Sequence, residues 1–434
     1  MTHIEKYLDA GRPALEEAQR RVRQTRTGRF PVTVTRGGQP LPNAQLTYRL
    51  LRHDFDFGCN LFMLDQYDTP DENAQYLALW KQLFHTAVVP LYWEGTEPEQ
   101  GRLRYDRDAP NDVFRRPPAG RVVEYCRENG LEMKGHPLFW HEFIPQWLPE
   151  GWNALLPLID KRFREISTRF AGEIPVFDCV NEPSRIWDIA HEHPNGGWKY
   201  VTPPQGYIEQ MFALAERYFP HNELILNETV GASFTDYRGD YGGYMQLLDR
   251  LLARGVRINR IGLQCHTSDS PAYQNVFHAQ RLTDVLAGYG RFGRPLVLSE
   301  ISIPSDVSEE LQARAAEQLY TVCFADPHMS GIFWWNLDDN GVLSEKRRNM
   351  PEENLPSSGL VRNFRPKQAY RTLDRLIHHD WHTEGTVQAA QGHAELDGFF
   401  GRYEITVCAN GVHETRTVEL KRAQNGRPLT LALD

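Results

Sequence analysis

The sequence predicts an α/β protein built on a (β/α)8 TIM barrel, with a small accessory β domain assembled from its two flanks. Three observations lead there. Eight apolar runs of strand length follow one another between Phe55 and Leu337, stretches with helical spacing separate them, and six of the eight runs end in Trp, His, Asn, Gln or Glu. A continuous apolar run between helical segments reads as a strand buried on both faces. In a closed parallel barrel all the C-terminal strand ends open on one side, where such proteins hold their chemistry.

Taken in order, residues 3–28 are polar with helical spacing, and Glu16, Glu17, Arg20, Arg21 and Arg23 read as a solvated helix face. Phe30–Arg36, the Gly37-Gly38 pair and Ala44–Leu50 alternate as a β-hairpin. The eight barrel runs are Phe55–Phe62, Ala87–Trp93, Glu132–Trp140, Pro175–Pro183, Glu223–Glu228, Arg260–His266, Leu296–Ile303 and Gly331–Leu337. Between them, Tyr207–Tyr218 has helical spacing, with Ile208, Met211, Phe212 and Ala215, and Phe219 just beyond, on one face, and Leu311–Phe324 reads likewise. After Trp381, Tyr403–Cys408 and His413–Leu420 alternate around Asn410-Gly411, the strongest hairpin signal in the chain. Neither flank has enough strands for a core of its own. The expected division is therefore residues 55–380 for the barrel, with 1–54 and 381–434 packing together as one β-sandwich that serves as scaffold or glycan-binding surface.

Composition narrows the partners. The chain has 434 residues, 41% of them hydrophobic, which suffices for a barrel and something smaller. A formal charge of −9 gives no footing for nucleic acid or an anionic membrane. Cys59, Cys126, Cys179, Cys265, Cys323 and Cys408 lack metal-ligand spacing and read as free thiols. No charged start leads into an apolar run at the N-terminus, and no run reaches membrane-spanning length. The default compartment is cytoplasmic, or secreted if a leader has been removed.

Two runs end on a glutamate: Pro175–Pro183 carries Glu182, and Leu296–Ile303 carries Glu300. Two carboxyl groups at the mouth of one barrel suggest glycoside cleavage, which needs one to protonate the leaving oxygen and a second across the reacting carbon. The other strand ends supply Trp93, Trp140 with His141, Asn181, Asn227 with Glu228, and Gln264 with His266. Trp and His also fill barrel cores; their gathering at one end favours a site.

With these residues in place, the chain resembles glycoside hydrolase family 10, the family of endo-β-1,4-xylanases. The matching stretches are Gly135-His136-Pro137-Leu138-Phe139-Trp140-His141, Asp178-Cys179-Val180-Asn181-Glu182, Ile261-Gly262-Leu263-Gln264-Cys265-His266, Leu298-Ser299-Glu300-Ile301-Ser302-Ile303 and Gly331-Ile332-Phe333-Trp334-Trp335, in the family's order. The resemblance implies that Glu182 is the general acid/base and Glu300 the nucleophile. It also implies that His136, Trp140, Asn181, Gln264 and His266 shape the site and that Trp335 offers an aromatic face.

The chemistry can be argued beside the resemblance. Carboxyl groups roughly 5–5.5 Å apart permit direct attack by Glu300 and retention of configuration over two displacements. Glu182 must then arrive protonated, so burial and the neighbouring charge should raise its pKa while Glu300 stays ionised. Gln264 and His266 lie two apart on one strand and share a face. His136, His141 and His266 beside two glutamates also raise a metal site, but no His-x-His pair ends the first strand, so no metal or cofactor is expected.

The match departs from the family where it bears on substrate. Members usually carry Glu-Asn-x-x-Lys-Trp on the second strand, whose polar groups bind the sugar one step beyond the reacting unit. Here the stretch reads Val88-Val89-Pro90-Leu91-Tyr92-Trp93, which leaves Tyr92 to meet a ring or a substituent, and Asn340-Gly341-Val342 replaces a usual second Trp. The leading expectation is a retaining β-glycosidase acting on xylan-derived or related plant oligosaccharides or polysaccharide. The alternatives are a glycosidase for a decorated or different glycan or an aryl glycoside, and a catalytically silent carbohydrate-binding barrel.

Overall fold

The computed structural model describes residues 1–188, 201–340, 357–409 and 411–433. Its centre is a closed barrel of eight parallel strands: β3 (Asp56–Asn60), β4 (Thr86–Pro90), β5 (Glu132–His136), β6 (Val176–Asn181), β7 (Glu223–Glu228), β8 (Arg260–His266), β9 (Leu296–Ser302) and β10 (Met329–Trp334). Each pairs with its sequence neighbours, and β10 closes on β3 through Ile332↔Phe57 and Phe333↔Gly58. The strands are apolar throughout because helices cover the outside while side chains fill the inside. All of β4, β6 and β9 is buried. Gly58 lets Phe333 cross the interior, since a Cβ there would lie 2.3 Å from its ring.

The flanks supply β1 (Thr27–Arg36) and β2 (Gln45–His53) before the barrel, then β11 (Glu384–Gln388), β12 (His393–Phe399), β13 (Gly401–Ala409), β14 (Val412–Leu420) and β15 (Leu429–Leu433) after it. β1 and β2 do not form the hairpin expected from their alternation. β1 lies between β12 (antiparallel) and β15 (parallel), whereas β2 lies between β11 and β13 in a second sheet. The Gly37-Gly38 turn returns only Gln39–Pro40 to β1 before the chain crosses over. The C-terminal hairpin forms as read: β13 and β14 pair down to Ala409↔Val412, with Gly411 at φ +81°. Asn410 lies outside the described residues. Alternate residues of each sheet, such as Phe30, Val32, Val34, Leu46, Ile405, Val407 and Leu431, enter one continuous core.

The first helix (His3–Arg26) belongs with the barrel rather than with these sheets, which corrects the expected grouping of residues 1–54. It starts with a capping box between Thr2 and Glu5 and buries Ile4, Leu8, Ala18 and Val22. It packs on the barrel helices Ala279–Gly290 and Glu309–Ala325. Gly11 permits the approach, because a Cβ there would lie 2.6 Å from the Ala279 backbone nitrogen.

The accessory sheets cover the N-terminal ends of the barrel strands. A cavity of about 410 Å³ at this floor is lined by Arg52, Asp54 and Lys421 from the sheet side and by Asp56, Glu223 and Arg260 from the strands. Its charges are paired: Arg260 bridges Asp56 (3.1 Å) and Glu223, and Arg52 meets Glu132 at 2.5 Å. His53 locks the join, with its ring edge-on to Phe57, Phe324 and Phe399; burial pushes its pKa down to about 3, so it packs as a neutral ring.

Candidate active site

The opposite end of the barrel gathers Asn181, Glu182, Asn227, Gln264, His266 and Glu300. Irregular register between Asp178 and Val180 on β6, and between Leu298 and Glu300 on β9, turns the last residues of these strands inward. Glu182 sits at φ +51°, a left-handed conformation that costs a non-glycine residue about 1 kcal/mol or more. That turn ends β6 and starts the short helix Pro183–Asp188. The backbone N–H of Glu182 still donates to the Asn227 carbonyl at 2.8 Å, so the side chain leaves from a fixed point.

A chain of amides joins the two carboxyl groups. Gln264 Nε2 donates to Glu182 Oε1 (3.0 Å) and Asn181 Oδ1 (3.3 Å). Asn227 Nδ2 donates to Asn181 Oδ1 (2.7 Å) and Glu300 Oε1 (2.8 Å), and its own Oδ1 accepts from Ser299 Oγ (2.5 Å). His266 completes the set: Nε2 lies 3.1 Å from Glu300 Oε2, and since a carboxylate accepts, the pairing assigns the donor proton to Nε2, while Ser302 Oγ lies 2.9 Å from Nδ1. All of these side chains except His266, which is partly exposed, are buried, so each amide orientation is set by its partners rather than by water.

Electrostatics separates the two ends. Burial raises the pKa of Glu182; Arg185 opposes this from 3.2 Å, Glu142 and Glu300 add to it, and the Gln264 hydrogen bond offsets part. Arg185 is shared, because its other terminal nitrogen lies 3.4 Å from Glu142. Beneath Glu300, His136 Nδ1 contacts Asp178 Oδ2 at 2.7 Å and stands 3.9 Å from Glu300 Oε1. Burial would raise the Asp178 pKa, but Lys134 at 2.5 Å and His136 hold it below the usual carboxylate range. His136 Nε2 and Trp140 Nε1 are buried without a hydrogen-bond partner, which leaves two donors or acceptors for a bound molecule.

The aromatic residues take different positions. Trp335 stands edge-on to His136 (5.3 Å) and His266 (6.0 Å), and Trp140 lies over Phe143 at 4.7 Å. Tyr92 joins Phe62, Val88, Phe143, Phe333 and Trp335 in an apolar cluster separate from the main core, and the Arg116 guanidinium covers one face of its ring at 3.7 Å. That face is therefore not open to a sugar. Val88 faces this cluster, whereas Val89 packs into the main core. Gly341 and Val342, in the replaced Trp segment, lie outside the described residues.

Several contributors escaped the sequence reading. Asn227, noted there only as a strand end, is the hub between the carboxyl groups. Glu228 anchors the turn after Glu182, accepting from Ser184 N (2.7 Å), Ser184 Oγ (2.7 Å) and Thr229 N (2.8 Å); burial, partly offset by these bonds, pushes its pKa up to about 7. The repeated Asn-Glu pair at the ends of β6 and β7 was the available signal. Among the described residues no group of three or more His, Cys, Asp or Glu is placed to hold a metal ion.

A parallel barrel with two buried carboxyl groups at its C-terminal mouth is an arrangement that glycoside hydrolases use. The chain belongs to glycosyl hydrolase family 10, whose family model matches residues 64–375. It is 23% identical over 408 residues to the anti-sigma-I factor RsgI6 of Acetivibrio thermocellus, covering 92% of this chain and 47% of that protein. It is also 23% identical over 371 residues to endo-1,4-beta-xylanase 3 of Arabidopsis thaliana, covering 84% of this chain and 44% of that protein. The chain thus spans about half the length of these two relatives. Xylanase 10B of Thermotoga petrophila, solved with xylobiose, shares the fold with a TM-score of 0.56 at 19% identity, over 75% of this chain and 95% of that one.

Proposed function

We propose that this protein is a retaining β-glycosidase acting on xylan-derived or related plant oligosaccharides, with Glu182 as acid/base and Glu300 as nucleophile. The amide chain Gln264–Asn181–Asn227 carries the reading, because it ties two buried carboxyl groups to fixed positions while Glu182 is the one pushed toward its protonated form. In the first step a Glu300 oxygen bonds to the anomeric carbon, the glycosidic C–O bond breaks, and the Glu182 proton passes to the departing oxygen. Glu182, now a carboxylate, takes a proton from water. The resulting hydroxide equivalent attacks the same carbon, frees Glu300, and leaves Glu182 protonated.

Asn181 and His136 are suited to sugar hydroxyls, Trp140 and Trp335 to ring faces, and Gln264 and His266 to holding the carboxyl groups. The family relatives named as endo-1,4-beta-xylanases support a xylan-type substrate. The apolar Val88–Tyr92 cluster favours the narrower reading that plain linear xylan is a poor substrate, since polar groups the family uses there are absent.

The test is chemical rescue. Glu182→Ala with an activated aryl β-glycoside should regain turnover in azide and yield the β-glycosyl azide, and Glu300→Ala should yield the α product. If both variants keep more than about a tenth of wild-type activity, the assignment fails. Catalytic efficiency on linear xylotetraose should fall below that on decorated oligosaccharides. Efficient cleavage of linear xylan, in the range of about 10⁴–10⁸ M⁻¹s⁻¹, would restore the plain xylanase reading.

A further inference from the structure

Arg185 stands between two buried carboxyl groups and holds each by a single nitrogen. Its Nη1 donates to Glu182 Oε2 at 3.2 Å, and its Nη2 lies 3.4 Å from Glu142 Oε1. Glu142 reaches this point from the loop after β5, Arg185 from the short helix after β6. A guanidinium grips a carboxylate best through two parallel N–H groups, and the split leaves neither pair in that form. Glu142 has an acceptor to spare, for its Oε2 is buried without a hydrogen-bond partner. Arg185 also has room to shift: its side chain is 39% exposed, against 2% for Glu142 and 8% for Glu182.

The proton on Glu182 decides which carboxylate is the better partner. Gln264 Nε2 donates to Oε1, so Oε2 is the oxygen left to carry an acid proton. As a carboxylate oxygen Oε2 accepts from Arg185, but once protonated it is a donor and a poor acceptor for a cation. A cation fixed at Oε2 would keep Glu182 ionised when the first step needs it protonated. Among the described residues the other charges facing Glu182 are Glu142, Glu228 and Glu300. Glu300 is pinned by Asn227 and His266, and Glu228 by Ser184 and Thr229. Arg185, by contrast, has a second carboxylate within reach.

We propose that Arg185 is a positioning residue that changes partner during turnover, moving to Glu142 while Glu182 carries its proton and returning to Glu182 Oε2 once that proton has left. This rests on the glycosidase reading with Glu182 as acid/base, and adds to it a moving charge. In the first step the Glu182 O–H bond breaks, the proton passes to the glycosidic oxygen as its bond to the anomeric carbon opens, Glu300 bonds to that carbon, and the new carboxylate receives Arg185. In the second, water gives a proton to Glu182 and its oxygen to the anomeric carbon, the bond to Glu300 breaks, and Arg185 withdraws to Glu142.

Leaving groups separate the two steps. A dinitrophenyl β-xylobioside departs without a proton, so its kcat reports the second step and falls on the acidic side, where Glu182 can no longer act as base. A phenyl β-xylobioside needs the proton, so its kcat reports the first step and falls on the basic side. In Arg185→Met the acidic limb should move up by about one pH unit, because the base has lost its cation. The basic limb should move less than half as far, because Arg185 sits on Glu142 when that step begins. Arg185→Lys, which keeps the charge, should lie closer to wild type in both. Glu142→Gln removes the second partner and should slow the first step several-fold more than the second, which keeps the question decidable if Arg185→Met folds poorly. An acidic limb that stays put, equal movement of both limbs, or equal slowing of both steps in Glu142→Gln overturns the exchange while leaving the glycosidase reading intact. Absence of turnover by wild type on either glycoside would overturn both.

Discussion

Asn227 holds one amide hydrogen bond to each side of the site, so its loss should disturb both carboxyl groups at once. Asn227→Ala removes a donor to charged Glu300, worth about 1.5–3 kcal/mol. We expect kcat to drop roughly ten- to hundredfold with the far-UV circular dichroism spectrum unchanged. On the assignment proposed above, Glu182 sets the basic limb of the pH dependence: it must hold its proton for the first step, and its folded pKa is raised, so activity is lost as pH rises through that raised value. Glu142 contributes to the raise, so Glu142→Gln should move the basic limb of kcat/KM to lower pH; Arg185→Met, which removes the opposing charge, should move it higher. A limb that stays put in both variants would show that another group titrates. Both glutamates were legible because each ends an apolar run, as were Gln264 and His266, two apart on one strand. Arg116, Glu142 and Arg185 were not, because a loop residue's distance from a site depends on the closed barrel and leaves no periodic trace.

At the scale of elements, the turn after β6 depends on a carboxyl group that is protonated near neutrality. Glu228 titrates near 7 in the fold against about 4.5 unfolded, so its contribution is whole below 4.5 and is lost as pH climbs through 7. The difference amounts to roughly 3 kcal/mol. Urea unfolding at a series of pH values should show this decline, and Glu228→Gln should flatten it. The first helix offers a second case: Gly11→Val drives a side chain into the Ala279 backbone and should cost about 1–3 kcal/mol of unfolding free energy. All eight barrel strands were legible, β7 and β8 coinciding with their apolar runs and the others overlapping theirs with ends off by up to four residues. Burial on both faces leaves an apolar run but does not mark where the strand gives way to its loop. The β1–β2 hairpin was misread because alternation marks a half-buried strand and says nothing of its neighbour. The helix was given to the wrong layer, since its apolar positions do not name what they meet.

For the molecule as a whole, the two flanks form one floor. Among the described residues β1 has its long neighbours in β12 and β15, and β2 has its in β11 and β13, so removing residues 381–433 strands both. We expect that truncation to give insoluble protein, whereas a soluble barrel with native unfolding behaviour would show the floor to be dispensable. The floor also has a consequence in time. Val32 pairs with Leu429, so during synthesis the first strand of the chain waits for the last. At about 5–20 residues per second, the delay is on the order of 20–80 s. Until then a ten-residue strand has two open edges, a template for pairing with other chains. Yield in a fast-translating host should therefore depend on what shelters β1 during that interval, and co-expression of a chaperone that binds extended segments should raise the soluble fraction.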